Sequence, residues 1–168
     1  MKSQLFAAAL LAGASTFASA TAIVSGTGWH DDVVNTADTA STNSDWTFTV
    51  ASGTEAFRVV DCCVVGDVYK LWSGGVGGTL LATSTFYAGA PTSNPIGGYE
   101  YLWLDASYSK LEYLVGPGSY SFTISGNGAG GLPAGLGVQL APVPEPETYA
   151  LMVAGLAAVG FAARRRNS

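Results

Sequence analysis

Between Gly116-Pro117-Gly118 and Gly126 the chain reads Ser119-Tyr120-Ser121-Phe122-Thr123-Ile124, apolar at every second residue. An extended strand puts Tyr120, Phe122 and Ile124 on one face and the hydroxyl residues on the other, whereas a helix would scatter them around its axis. This stretch therefore commits the chain to a half-buried sheet. Trp46-Thr47-Phe48-Thr49-Val50 repeats the pattern, with Trp46, Phe48 and Val50 facing inward, so Trp46 is expected in the core.

Further strands are expected at residues 56–65, 68–72, 79–86, 99–104, 110–115 and 137–140, from their β-branched and aromatic runs. Between two of them, Ser73-Gly74-Gly75-Val76-Gly77-Gly78 is glycine-dense enough to turn a hairpin. No stretch of the body has a convincing helical period. Short strands with turns after roughly ten residues predict an all-β body, an antiparallel β-sandwich of jelly-roll-like layout.

The two ends read differently. Met1-Lys2 precedes an apolar stretch at residues 5–14, and Ala18-Ser19-Ala20 has the small-x-small form that signal peptidase cuts. A signal peptide at residues 1–20 is expected, cleaved after Ala20, with Ala22 as second choice. At the other end, residues 149–163 carry no charge and Arg164, Arg165 and Arg166 follow at once. As a helix this run is about 22 Å long, somewhat short of the roughly 20 residues of a full span, a gap that snorkelling arginines narrow. The positive cluster at one end puts the C-terminus in the cytoplasm and the body outside. An inner-membrane anchor is thus expected at residues 149–163, with Arg164, Arg165 and Arg166 as the stop-transfer charges. The body, residues 21–141, is large enough for one domain with a modest core.

All twelve acidic residues lie between Asp31 and Glu147, where Arg58, Lys70 and Lys110 are the only basic ones. A region so acidic cannot neutralise phosphates, which excludes nucleic acid as a partner. It suits an exported soluble domain.

Pro144-Glu145-Pro146, the apolar run and the terminal arginines occur in that order at the extreme C-terminus. Together they resemble the PEP-CTERM sorting signal of Gram-negative bacteria, over residues 142–168. The resemblance implies recognition at Pro144, Glu145 and Pro146 by exosortase, a membrane protease, with an inner-membrane-anchored precursor and a periplasmic body that ends at the cell surface or outside. It further implies a setting of exopolysaccharide and biofilm. Two prolines so close hold the motif extended, as a protease requires. The Trp-x-Phe strand followed by Asp61-Cys62-Cys63-Val64-Val65-Gly66-Asp67 also resembles the small β-sandwich bodies of many such proteins, which implies fold more than function.

Within the body four features point to chemistry. Cys62 and Cys63 are adjacent in an oxidising compartment, where exported cysteines usually pair. Neighbours across a trans peptide sit closer than an ordinary disulfide prefers, and in a strand their side chains point apart. Structural thiols, a vicinal disulfide and intermolecular pairing all remain open. Asp61 and Asp67 are candidate calcium ligands, although their spacing matches no EF-hand loop and turn-forming, solvated carboxylates are the plainer reading. No other cofactor is expected. Trp29 and Trp72 sit near loop residues and are candidates for stacking on a sugar ring, against the plainer reading that aromatics fill the core. Enzyme signals are sparse: His30 is the sole histidine, no nucleophile elbow or phosphate loop occurs, and only Glu100 and Glu112 are candidates for a glycosidase pair. The chain is therefore read as a non-catalytic exported protein, with a carbohydrate-binding module as the alternative.

Overall fold

The structure is a computed structural model that describes residues 20–86, 98–144, 151–157, 159 and 164. In chain order the elements are β1 (Thr21–Ala22), β2 (His30–Val34), β3 (Trp46–Val50), β4 (Thr54–Asp61), β5 (Tyr69–Ser73), β6 (Thr79–Thr83), α1 (Gly98–Leu104), β7 (Lys110–Val115), β8 (Gly118–Gly126) and β9 (Ala134–Val143). One sheet has the order β1-β3-β8-β5-β6 and the other β2-β9-β4-β7. From β2 onward the chain changes sheet at every step except the β5–β6 hairpin, the pattern of a jelly roll. All pairings are antiparallel apart from β1, which lies parallel to β3.

Between the sheets the inward residues interdigitate. Trp46 is 1% exposed, and Phe48 stacks on Phe57 and meets Phe122 edge-on. Val59, Leu71, Ile124, Leu136, Val138 and Leu140 fill the remaining layer. The β8 alternation places Phe122 and Ile124 in this core, but Thr123 and Ser125 are also buried. The outer face of β8 is covered too: Thr123 Oγ1 donates to Asp45, and the Trp72 indole N–H donates to Ser125 Oγ at 2.9 Å.

The structure corrects several sequence expectations. Residues 99–104 are not a strand, because Gly98–Leu104 forms α1. Tyr99, Leu102 and Trp103 share one helical face, and that face packs on the outer side of the β2-β9-β4-β7 sheet against Val60. Gly137 of β9 makes the approach possible, since a Cβ there would lie 2.4 Å from the Tyr99 ring. The strand expected over 56–65 is Thr54–Asp61, ended by the turn at Cys62 and Cys63. β6 stops at Thr83, and Ser84 and Thr85 then bridge the sheets, bonding to Tyr69 and Lys110. The hairpin at 73–78 is as read, with positive φ at Gly74, Gly75 and Gly77.

Two strands had no sequence signal. β2 carries Asp32 into the core, where it accepts from Ser41 Oγ at 2.6 Å, the Asn43 amide at 2.9 Å and the Trp46 indole at 3.0 Å. β1 pairs with Trp46 and Thr47, and the following Ile23 is 3% exposed. A cut after Ala22 would remove β1. At the far end β9 runs through Val143, two residues past the expected limit at 141.

Candidate functional site

β9 delivers the chain to the sorting motif without a linker. Val143 is still paired with Thr54, and Pro144 comes next. Glu145 and Pro146 lie outside the described residues, as do Ala18, Arg165 and Arg166. Residues 151–157, 159 and 164 are helical, with Leu151, Met152, Val153, Leu156 and Val159 exposed. Among the described residues no helix is long and apolar enough to cross a membrane. The expected span of 149–163 falls partly outside them.

A second locus forms where β4 ends. Strand alternation turns Asp61 inward and Cys62 outward. Asp61 is fully buried; the Tyr69 hydroxyl donates to its Oδ1 at 3.2 Å and to the Gly135 carbonyl at 2.8 Å. The backbone amides of Gly66 and Asp67 also face this carboxyl, yet Oδ2 has no partner at full hydrogen-bond geometry. Burial, then the neighbouring Asp67, pushes the Asp61 carboxyl up to about 7. Asp67 is raised as well, by burial, and its Oδ1 accepts the Gly130 amide at 2.7 Å. Burial pushes the Tyr69 phenol up too, helped by Asp61.

Asp61 and Asp67 thus come together, as a calcium site would require. However, among the described residues no group of three or more His, Cys, Asp or Glu side chains is placed to hold a metal ion. A hard cation such as calcium takes six or more oxygen ligands, more than these two carboxyls supply.

Cys62 and Cys63 are bonded to each other, with Cα atoms 3.7 Å apart. Cys63 has φ 75°, in the left-handed region. The pair forms part of the wall of a cavity of about 360 Å³ that Leu132, Pro133 and Gly135 also line.

The aromatic candidates separate. Trp29 sits beside α1, with its ring centroid 6.0 Å from Tyr99 and 5.7 Å from Trp103. Trp72 belongs to β5 in the other sheet. Both are half-buried, and they form no common strip. Around the Trp29 group, the indole N–H donates to Glu100 at 3.0 Å, Tyr99 donates to Asp31 at 2.6 Å, and Arg58 lies 5.0 Å over the Trp103 ring. Sequence reasoning did not place Tyr99 and Trp103 beside Trp29 because it read 99–104 as a strand; their i, i+4 spacing was the available signal.

Set beside known proteins, residues 142–166 match the PEP-CTERM protein-sorting motif. The molecule is thus a β-sandwich with a sorting signal attached directly to its last strand. That motif supports an exported protein sorted by exosortase, with a membrane-anchored precursor. No curated protein matches the chain. A solved structure, the pre-peptidase C-terminal domain of collagenase from Bacillus anthracis, is similar at 11% identity and a TM-score of 0.40. The match covers 73% of this chain and 96% of that one.

Asp61 makes stability depend on pH. Its folded pKa of about 7 stands above the ordinary 3.8, so the folded state holds a proton that the unfolded chain releases. The associated stability is full below about pH 4 and is lost as pH rises through 7, on the order of a few kcal/mol. Asp67, shifted the same way, adds to the slope. Urea midpoints at pH 4.5 and 7.5 are expected to differ in the wild type and to differ much less in Asp61→Asn. Equal pH dependence in both chains would contradict the assignment.

Proposed function

We propose that this is a non-catalytic β-sandwich which the C-terminal segment holds at the inner membrane until exosortase cuts near Pro144-Glu145-Pro146. The body then reaches the cell surface or the extracellular matrix, in a setting of exopolysaccharide and biofilm. The observation that carries the reading is the junction: the strand ends at Val143, inside the matched segment 142–166, and Pro144-Glu145-Pro146 follows at once. Signal peptidase acts at Ala20, the other end of the same body. The absence of catalysis is supported by the two carboxylate candidates. Glu112 is tied to Arg58 at 2.7 Å and Glu100 to Trp29, each committed to its own partner.

A second reading is a carbohydrate-binding module. It is favoured by the Trp29, Tyr99 and Trp103 rings with Glu100 and Asp31 at their rim, and by Tyr101, which is 52% exposed on α1. Aromatic faces stack on sugar rings while carboxylates accept from hydroxyls. Trp72 takes no part in it.

The sorting reading is checked by fractionating cells that carry the wild type or the Pro144→Ala/Glu145→Ala double variant. The wild type is expected as a shortened form outside the inner membrane, and the variant as an uncut, membrane-held precursor. Identical size and distribution would end the proposal. For the second reading, the purified body is expected to be retarded on polysaccharide gels and Trp29→Ala to lose that retardation. Unretarded migration of the wild type removes the sugar site.

A further inference from the structure

The turn at residues 62–67 is held by a covalent ring at its start and by contacts at its end. The Cys62 amide bonds to the Gly135 carbonyl at 3.0 Å, and the Val64 amide closes back on the Cys62 carbonyl at 2.9 Å. Beyond it, the Val64 and Val65 carbonyls press against Gly130, where a Cβ would lie 3.0 and 3.1 Å from them. Asp67 then takes the Gly130 amide. Cys63 sits at φ 75°, a conformation that residues with a Cβ adopt only at a cost. The ring through its side chain is one of the constraints that keep it there.

The two sulfurs differ in access. Cys62 is half-buried among α1, Val60 and the Gly135 backbone, and its Sγ lies 3.9 Å from the position of a Cβ on Gly135. Cys63 is exposed and lines the open cavity. A nucleophile from solvent therefore meets the sulfur of Cys63 first.

We propose that Cys62 and Cys63 form a redox-active site at which an external dithiol opens the ring and frees the 62–67 turn, while the sandwich stays folded. One thiolate of the dithiol attacks Sγ of Cys63. The Cys62–Cys63 bond breaks, and its electron pair leaves on Sγ of Cys62, which takes a proton from water. The second thiolate attacks the dithiol sulfur of the mixed disulfide and expels Cys63, which is protonated in turn. Two electrons pass from the dithiol, which departs as a cyclic disulfide, and the protein is left with two thiols. The turn then loses the covalent hold on Cys63, and one wall of the cavity becomes free to move. The core strands keep their pairing, since neither cysteine belongs to the inter-sheet layer.

The test adds dithiothreitol to the full chain purified without reductant, and it does not depend on where the protein is sorted. Thiol titration is expected to rise from none to two per chain while far-UV circular dichroism stays unchanged. Amide exchange at Val64, Val65 and Gly66 is expected to speed up roughly tenfold, with Ile124 and Val138 unaffected. The Cys62→Ser/Cys63→Ser variant is expected to exchange at the fast rate with or without dithiol. Two thiols before any dithiol, thiols that appear only as the sandwich unfolds, or unchanged turn exchange in either the reduced chain or the variant would each overturn the proposal.

Discussion

The sandwich depends on how it buries Asp32. The chain has to cross from β2 in one sheet to β3 in the other, and Asp32 faces the core at the start of that crossing. An acid there is costly unless its oxygens are satisfied. Ser41, Asn43 and Trp46 supply the donors, so the connection and the first core tryptophan are drawn onto one side chain. Ser44 extends the network, bonding to Ser41 at 2.8 Å and accepting the Ile124 amide at 2.9 Å. The register of β3 against β8 is thus joined to a polar cluster rather than set by apolar packing alone.

Asp61, the last residue of β4, is also buried but is less well served. Tyr69 reaches it, one oxygen lacks a well-aligned partner, and Asp67 stands close by. The same physics that makes Asp32 a structural hub makes Asp61 a group that keeps its proton. The disulfide turn lies directly after it, so a cysteine at positive φ, a buried carboxyl with an unpartnered oxygen and the cavity occupy one neighbourhood. The sorting segment leaves from the opposite end of β9, where Val143 meets Thr54, whereas Gly135 lies near the Cys62 end.

Most of the sandwich was legible because its strands alternate. Trp46, Phe48, Phe122 and Ile124 declare their inner face by spacing alone, and the glycines at 74–78 declare the hairpin. β2 was not legible: His30-Asp31-Asp32-Val33-Val34 looks like a polar loop, and it becomes a strand only by pairing with residues 134–138 of β9, distant in sequence, while the donors to Asp32 lie nine to fourteen residues away. β1 is two residues long and gains its place only through β3. α1 reads as a strand because tyrosine, tryptophan and leucine favour sheets; packing against Gly137 and Val60 decided otherwise. Of the candidate sites, the sorting motif was fully legible because its parts are contiguous. The Trp29 cluster was only half visible, since Tyr99 and Trp103 come from a helix some seventy residues away in sequence.

The processing proposed for both ends of the β body changes its mass. Intact mass spectrometry of the chain recovered outside the inner membrane tests this most directly. The account gives a species that begins at Thr21 and ends near Pro144-Glu145-Pro146, without the apolar run or the arginines. A chain recovered from the cytosol at the mass of all 168 residues would contradict it.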